Sequence, residues 1–193
     1  MEIFDIFAKI RIPLHRNHHI YMERCLQLAQ KGFGYTYPNP MVGAVVVNKG
    51  VIVGEGWHQK AGTAHAEVHA LSGLSASDLE GATLYVNLEP CSHHGKTPPC
   101  CELVIAKGIK KVVVGAKDPN PKVAGNGIKA MQNAGIDVEV GVMEDACIAL
   151  NKRFYCFQNQ KRPYIILKWA QSEDGYLAPE NDRTGTVSWI SDV

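Results

Sequence analysis

Three short stretches constrain what this chain can fold into more than any other feature: His65-Ala66-Glu67, Glu89-Pro90-Cys91 and Pro98-Pro99-Cys100. One imidazole and two thiolates are borderline or soft donors, a set that suits Zn²⁺ with its fourth tetrahedral position left for water. A carboxylate two residues beyond the histidine reaches such a water without being spent as a ligand, which is the layout of a hydrolytic zinc site. On a regular helix, residues two apart point to different sides. His65 and Glu67 therefore face one metal only at a helix start, where the first turn is not yet regular, and Gly62-Thr63-Ala64 is a suitable approach. A plainer reading stays open at this point. The eight residues between Cys91 and Cys100 exceed the usual Cys-x-x-Cys knuckle, and each residue alone fits a buried small hydrophobe or a satisfied core histidine. Their joint occurrence, with one Pro-Cys after a strand and the other opening a helix, favours zinc.

The 193 residues suit one domain with appendages. With 46% hydrophobic and 20% charged residues, and no run approaching 18 consecutive apolar residues, the expectation is a globular chain with no membrane partner. Twenty basic and 19 acidic side chains leave a formal charge of +1. Without a long basic run, a nucleic-acid partner is not expected. Six cysteines without a secretory signal read as reduced thiols in a cytoplasmic protein rather than a disulfide framework.

Residues 1–16 form an N-terminal extension, with Ile3, Ile6, Phe7 and Ile10 at amphipathic-helix spacing. Glu2 and Asp5 argue against a mitochondrial presequence. His15, His18 and His19 read as solvated residues before a helix from about Ile20 to Lys31, stopped by Gly32 and Gly34. After Pro38-Asn39-Pro40, Val42–Val47 and Val51–Val53 form a hairpin around Asn48-Lys49-Gly50. Helices are then expected from near His65, from near Pro99, over Asn126–Asn133 and over Glu144–Phe157. Strands are expected at Thr83–Leu88, Lys111–Gly115 and Ile136–Val140. Helices alternating with short apolar strands, entered through an antiparallel hairpin, make an α/β protein: a three-layer α/β/α sandwich with a mixed sheet. The polar stretch Gln158–Pro163 marks a boundary between a domain over 17–160 and a segment over 161–193, where Tyr164–Leu167 reads as a strand.

The His-x-Glu and Pro-Cys elements resemble those of the zinc nucleobase deaminases of the cytidine-deaminase-like superfamily. The longer run Glu89-Pro90-Cys91-Ser92-His93-His94-Gly95-Lys96-Thr97-Pro98-Pro99-Cys100 resembles the signature of the bacterial riboflavin-biosynthesis deaminases, a likeness that extends from about Tyr21 through Phe157. That resemblance implies a cytidine-deaminase-like fold with one Zn²⁺ held by His65, Cys91 and Cys100, and Glu67 as general acid/base. It implies a small-molecule substrate, 2,5-diamino-6-ribosylamino-4(3H)-pyrimidinone 5′-phosphate, whose ring amino group is hydrolysed to a carbonyl. By motif position, Asn39 is implied at the base or ribose, His58, His93 and Lys96 in the pocket, and Asp118 and Asn120 at the ribose-phosphate end. A homo-oligomer, dimer or tetramer, is also implied.

Ile165–Gly175 and Ser188-Trp189-Ile190-Ser191 resemble the opening of the reductase domain that follows the deaminase in the bifunctional members, although Glu173 stands where leucine is usual. The dinucleotide-binding body of a reductase is not among these residues, so 161–193 is expected to be the start of a truncated reductase domain, with NADPH belonging only to the missing part. Two alternatives remain. A deaminase of free nucleosides or nucleic-acid bases would share the chemistry, and for a nucleic acid would need a basic or aromatic strand-binding surface. A structural zinc module would need a fourth protein ligand, for which Cys101 and His93 are the nearest candidates. Cys25, Cys147 and Cys156 read as packing residues, His69 as surface or support, and Gly125-Asn126-Gly127 as a turn and cap rather than a phosphate cradle.

Overall fold

The computed structural model describes residues 14–93, 98–120 and 123–171, together with Glu173 and Gly175, with side chains from His18 onward. Most of the expected N-terminal extension, and Lys96, lie outside the described residues. The chain divides into two compact units, Met1–Arg162 and Pro163–Val193.

The first unit is built on a five-stranded sheet. A hairpin of β1 (Gly43–Asn48) and β2 (Val51–Trp57) turns at Lys49-Gly50, both with positive φ, as a tight hairpin requires. The remaining strands are β3 (Thr83–Leu88), β4 (Lys111–Ala116) and β5 (Asp137–Val140), and the sheet order is β2-β1-β3-β4-β5. β1 pairs antiparallel with both β2 and β3, whereas β3–β4 and β4–β5 are parallel. Each parallel pair is joined through a helix, α4 (Cys100–Ala106) after β3 and α5 (Asn126–Asn133) after β4, as parallel neighbours require.

The period-two pattern of the strands sorts side chains to two cores. Ala44, Val46, Leu84, Val86, Val112 and Val114 pack with residues of α4, α5 and α2 (Ala66–Leu71). Val45, Val47, Tyr85 and Val113 pack with Met22, Cys25 and Leu28 of α1 (Leu14–Gln30) and Cys147 of α6 (Glu144–Leu150). The result is the three-layer α/β/α sandwich with a mixed sheet. Gly56 brings α2 against the sheet: a Cβ there would meet Ala66 O and Ala70 N at 2.5 Å.

Four local expectations are corrected. α1 begins at Leu14, so the histidine cluster lies within the helix, and His18 is buried in line with Met22 and Cys25, its Nδ1 2.9 Å from Tyr85 Oη. A short helix, α3 (Ala76–Leu79), closed by a Ser75–Asp78 capping box, has no counterpart in the expected pattern because one turn carries no periodicity. The long helix expected over Glu144–Phe157 is two, α6 and α7 (Lys152–Gln160), broken at Asn151. There the side chain turns inward, accepting from Met41 N at 2.8 Å and donating to Met41 O at 2.9 Å. In the second unit, Tyr164–Leu167 forms no strand, and Ile165, Ile166 and Leu167 are exposed. Among the described residues of this unit no second strand lies beside the run to pair with it.

Candidate metal centre

β3 ends at Leu88 and delivers Glu89-Pro90-Cys91 to the carboxyl edge of the sheet, where the starts of α2 and α4 also lie. His65 is the N-cap of α2, with extended backbone (φ −78°, ψ 168°) and no capping hydrogen bond from its side chain. Cys100 is the first residue of α4, after the N-cap Pro99. Cys101 N donates to Cys91 O at 3.2 Å, tying the strand end to the helix start. One donor atom from each of His65, Cys91 and Cys100 falls within 4.8 Å of the others. His65 Nδ1 lies 3.3 Å from Cys100 Sγ and 3.5 Å from Cys91 Sγ, and Cys100 N donates to Cys91 Sγ at 3.3 Å.

The electrostatics suit a cation. Hydrogen bonds from Cys100 and His65 pull the Cys91 thiol well below its ordinary range. The Cys100 thiol is held up, chiefly because it donates to Cys91, and by burial. Cys91 and Cys100 are free thiols, so no disulfide competes for these sulfurs. Two sulfurs and an imidazole nitrogen gathered at one point are the donor set that zinc favours. Glu67, in the first turn of α2, is 3% exposed, and its burial raises the carboxyl pKa.

His58 stands beside the cluster, its ring edge-on to that of His65 with centroids 5.4 Å apart. His58 Nδ1 is 3.1 Å from Ala64 O and must carry the proton, leaving Nε2 to accept from Asn39 Nδ2, also at 3.1 Å. Burial pushes the His58 pKa down, in keeping with a neutral ring. This bond commits the Asn39 amide nitrogen to His58 and turns its carbonyl oxygen away from that ring. The backbone behind Asn39 is clamped by two asparagines. Asn87 Oδ1 accepts from Gly43 N at 2.8 Å and its Nδ2 donates to Met41 O at 3.2 Å, and Asn151 holds both the N–H and the carbonyl of Met41.

Asp118 and Asn120 follow β4 in one tight turn, with Asn120 N donating to Asp118 Oδ1 at 2.8 Å. Burial raises the Asp118 pKa to about 6. His93 is exposed in the segment between the two cysteines. Cys101 points away from the cluster into the core beside Val104, and among the described residues no fourth histidine, cysteine or carboxylate joins the group.

Glu89, Asn87 and Asn151 were not singled out from the sequence. An asparagine inside an otherwise apolar strand, and another inside a helical run, are the signals that mark the last two. The N–H groups of Gly125, Gly127 and Ile128, which a phosphate cradle would use, are instead taken by the Glu89 carboxylate.

The family model described as the cytidine and deoxycytidylate deaminase zinc-binding region matches residues 15–116, a little over half of the chain. The riboflavin biosynthesis protein RibD of Aquifex aeolicus is 54% identical over 171 residues, 89% of this chain and 47% of that protein. Among solved structures, Acinetobacter baumannii RibD matches with TM-score 0.86 and 44% identity over 92% of this chain and 49% of that one. A diaminohydroxyphosphoribosylaminopyrimidine deaminase/5-amino-6-(5-phosphoribosylamino)uracil reductase from Thermotoga maritima matches with TM-score 0.81 and 45% identity, over 92% and 50%. The chain thus spans about half the length of these relatives.

Proposed function

Because the chain belongs to the cytidine and deoxycytidylate deaminase zinc-binding family, we propose that it is the deaminase portion of a riboflavin-biosynthesis enzyme. Its reaction is the hydrolytic deamination of 2,5-diamino-6-ribosylamino-4(3H)-pyrimidinone 5′-phosphate. The convergence of His65, Cys91 and Cys100 beside the buried Glu67 carries the chemistry. Identity of 54% to a riboflavin biosynthesis protein, across 89% of the chain, supports this substrate over a nucleoside or a nucleic-acid base.

His65, Cys91 and Cys100 would hold the metal. Zinc bound there would supply the Lewis acidity that makes a nucleophile of water near neutral pH. Glu67 takes a proton from the attacking water and passes it to the amino group, which leaves as ammonia; the second proton of the water moves from the new hydroxyl to the ring nitrogen as the carbonyl forms. Asn39, oriented by His58, offers a carbonyl acceptor to an N–H of the base. Asp118 and Asn120 receive the ribose, and His93 and Lys96 answer the phosphate, a dianion suited to a point charge and an imidazole donor. The deaminase domain covers 17–160, after an N-terminal extension over 1–16. Residues 161–193 begin a reductase domain in which NADPH binds and reduces the product. The division of the chain at Arg162/Pro163 and its half-length match to bifunctional relatives support that organisation. A cytoplasmic setting, favoured by the free thiols of Cys25, Cys91, Cys100, Cys101 and Cys147, and a homo-oligomeric state complete the proposal. No helix among the described residues is long and apolar enough to cross a membrane.

The test is ammonia release by the zinc-loaded chain offered the diaminopyrimidine ribotide and cytidine in parallel. Turnover of the ribotide alone is expected. Turnover of cytidine instead would move the chain to nucleoside deamination, and zinc binding without turnover of either would count against the proposal.

A further inference from the structure

Glu89 is a buried carboxylate to which the chemistry above gives no part. It is 3% exposed, and its two oxygens accept four backbone N–H groups. Oε2 takes those of Asp118 at 3.3 Å and Gly125 at 3.0 Å, and Oε1 takes those of Gly127 at 3.0 Å and Ile128 at 3.3 Å. A buried anion is costly unless its lone pairs are met. Here they are met by the positive end of α5 and by the loop that follows β4. The fit is close enough that Gly127 has no room for a Cβ, which would collide with Pro90 O. The backbone makes the same link, since Glu89 N donates to Ala116 O at 3.0 Å, two residues before Asp118. Cys91 lies two residues further along the same segment. One residue thus bridges the arm that carries a metal ligand and the arm that carries Asp118 and Asn120.

We propose that Glu89 is a positioning residue whose carboxylate holds the Asp118–Asn120 arm in register with the Cys91 arm, so that the sugar end of the substrate and its reacting carbon are located together. This deepens the proposed function and rests on its assignment of Asp118 and Asn120 to the substrate. Because Glu89 acts through Asp118, its loss falls on substrate affinity more than on the chemical step. A further consequence is that the start of α5 is closed to the substrate phosphate, its N–H groups being already committed to this internal anion.

The test compares zinc-loaded wild type with Glu89→Gln, an isosteric change that sets an NH₂ group against two N–H donors. KM for the ribotide should rise about tenfold or more, while kcat stays within about threefold and zinc stoichiometry is unchanged. Adding Asp118→Ala to Glu89→Gln should raise KM by much less than Asp118→Ala alone does in the wild type, since the two act through one contact. An unchanged KM, additive effects, or a loss confined to zinc content and thermal stability would overturn the proposal. Amide hydrogen exchange reads the same bridge without any substrate. The amides of Asp118 and Gly125 should exchange about tenfold faster in the variant, with those of β3 and β4 unchanged. Uniform acceleration, or none, would overturn the proposal. If wild type fails to turn over the ribotide, the substrate assignment falls while the exchange result still decides the bridge. Should Glu89→Gln not fold, Glu89→Asp, which keeps the charge but shortens its reach, is judged by the same criteria.

Discussion

His65 and Glu67 are two residues apart, a spacing that on a regular helix would send them to different sides. The backbone resolves this by keeping His65 extended at the N-cap while Glu67 sits inside the first turn. That irregular start was legible, because His-x-Glu beside a metal admits few other geometries. Glu89 was not. It was read only as the residue leading into Pro90-Cys91, and its partners are backbone N–H groups at Asp118, Gly125, Gly127 and Ile128, which leave no mark in side-chain identity. His18 was misread for a related reason, since its burial depends on Tyr85, which lies 67 residues away. At this scale the sharpest expectation concerns Glu67. Glu67→Ala should keep one zinc per chain and lower kcat by about 10²–10⁴-fold, the usual worth of a positioned proton carrier. Metal analysis alongside steady-state kinetics checks both halves, and near-wild-type turnover would remove Glu67 from the mechanism.

Where strands alternate apolar residues or helices run for two turns, element boundaries follow from the pattern. β3 and α5 occupy the spans their sequences indicate, and β2 runs four residues beyond its apolar start because pairing with β1 carries it through Gly54 and Gly56 to Trp57. The break between α6 and α7 was hidden, since Asn151 is tolerable in a helix and its reason for leaving one is Met41, 110 residues earlier. Asn151→Ala would strip Met41 N of its buried partner and should destabilise the fold by about 1–3 kcal/mol, readable as a lower urea midpoint at constant slope. A second element contact gives a pH expectation. Arg24 of α1 grips Glu55 of β2 through Nε at 2.6 Å and Nη2 at 2.8 Å. The guanidinium holds the Glu55 carboxyl below its ordinary range. In the window between the folded and unfolded pKa values the unfolded chain binds more protons, so stability rises with pH there. The contribution is full above the unfolded value, near 4.5, and is lost as pH falls through the depressed folded value. Both side chains are about a third exposed, so the pair is worth only about 0.2–1 kcal/mol. Glu55→Gln should lower stability at pH 7 and leave it unchanged at pH 2 in thermal melts, and an equal loss at both would rule out the charge as the cause.

Across the whole molecule, the alternation of elements after a hairpin dictates the mixed sheet, and the sheet dictates where chemistry is possible. β3 and β4 are parallel and end at the same edge, so the segments that follow them, Glu89–Cys91 and Lys117–Asn120, are neighbours although 27 residues lie between Glu89 and Lys117. The starts of α2 and α4 meet them there, a carboxyl-edge site of the kind open α/β sheets provide. The second unit was less legible, because an apolar run such as Tyr164–Leu167 becomes a strand only beside another strand, and its own sequence cannot say where that strand is. The central claim is that three protein ligands hold zinc with one position open for chemistry. X-ray absorption at the zinc edge of the loaded chain tests it most directly. The account predicts two sulfurs at about 2.3 Å and one imidazole nitrogen with one further light atom at about 2.0–2.1 Å, the same for a Cys101→Ser variant. Three sulfurs, or two sulfurs with two imidazoles, would show a closed structural site and contradict it.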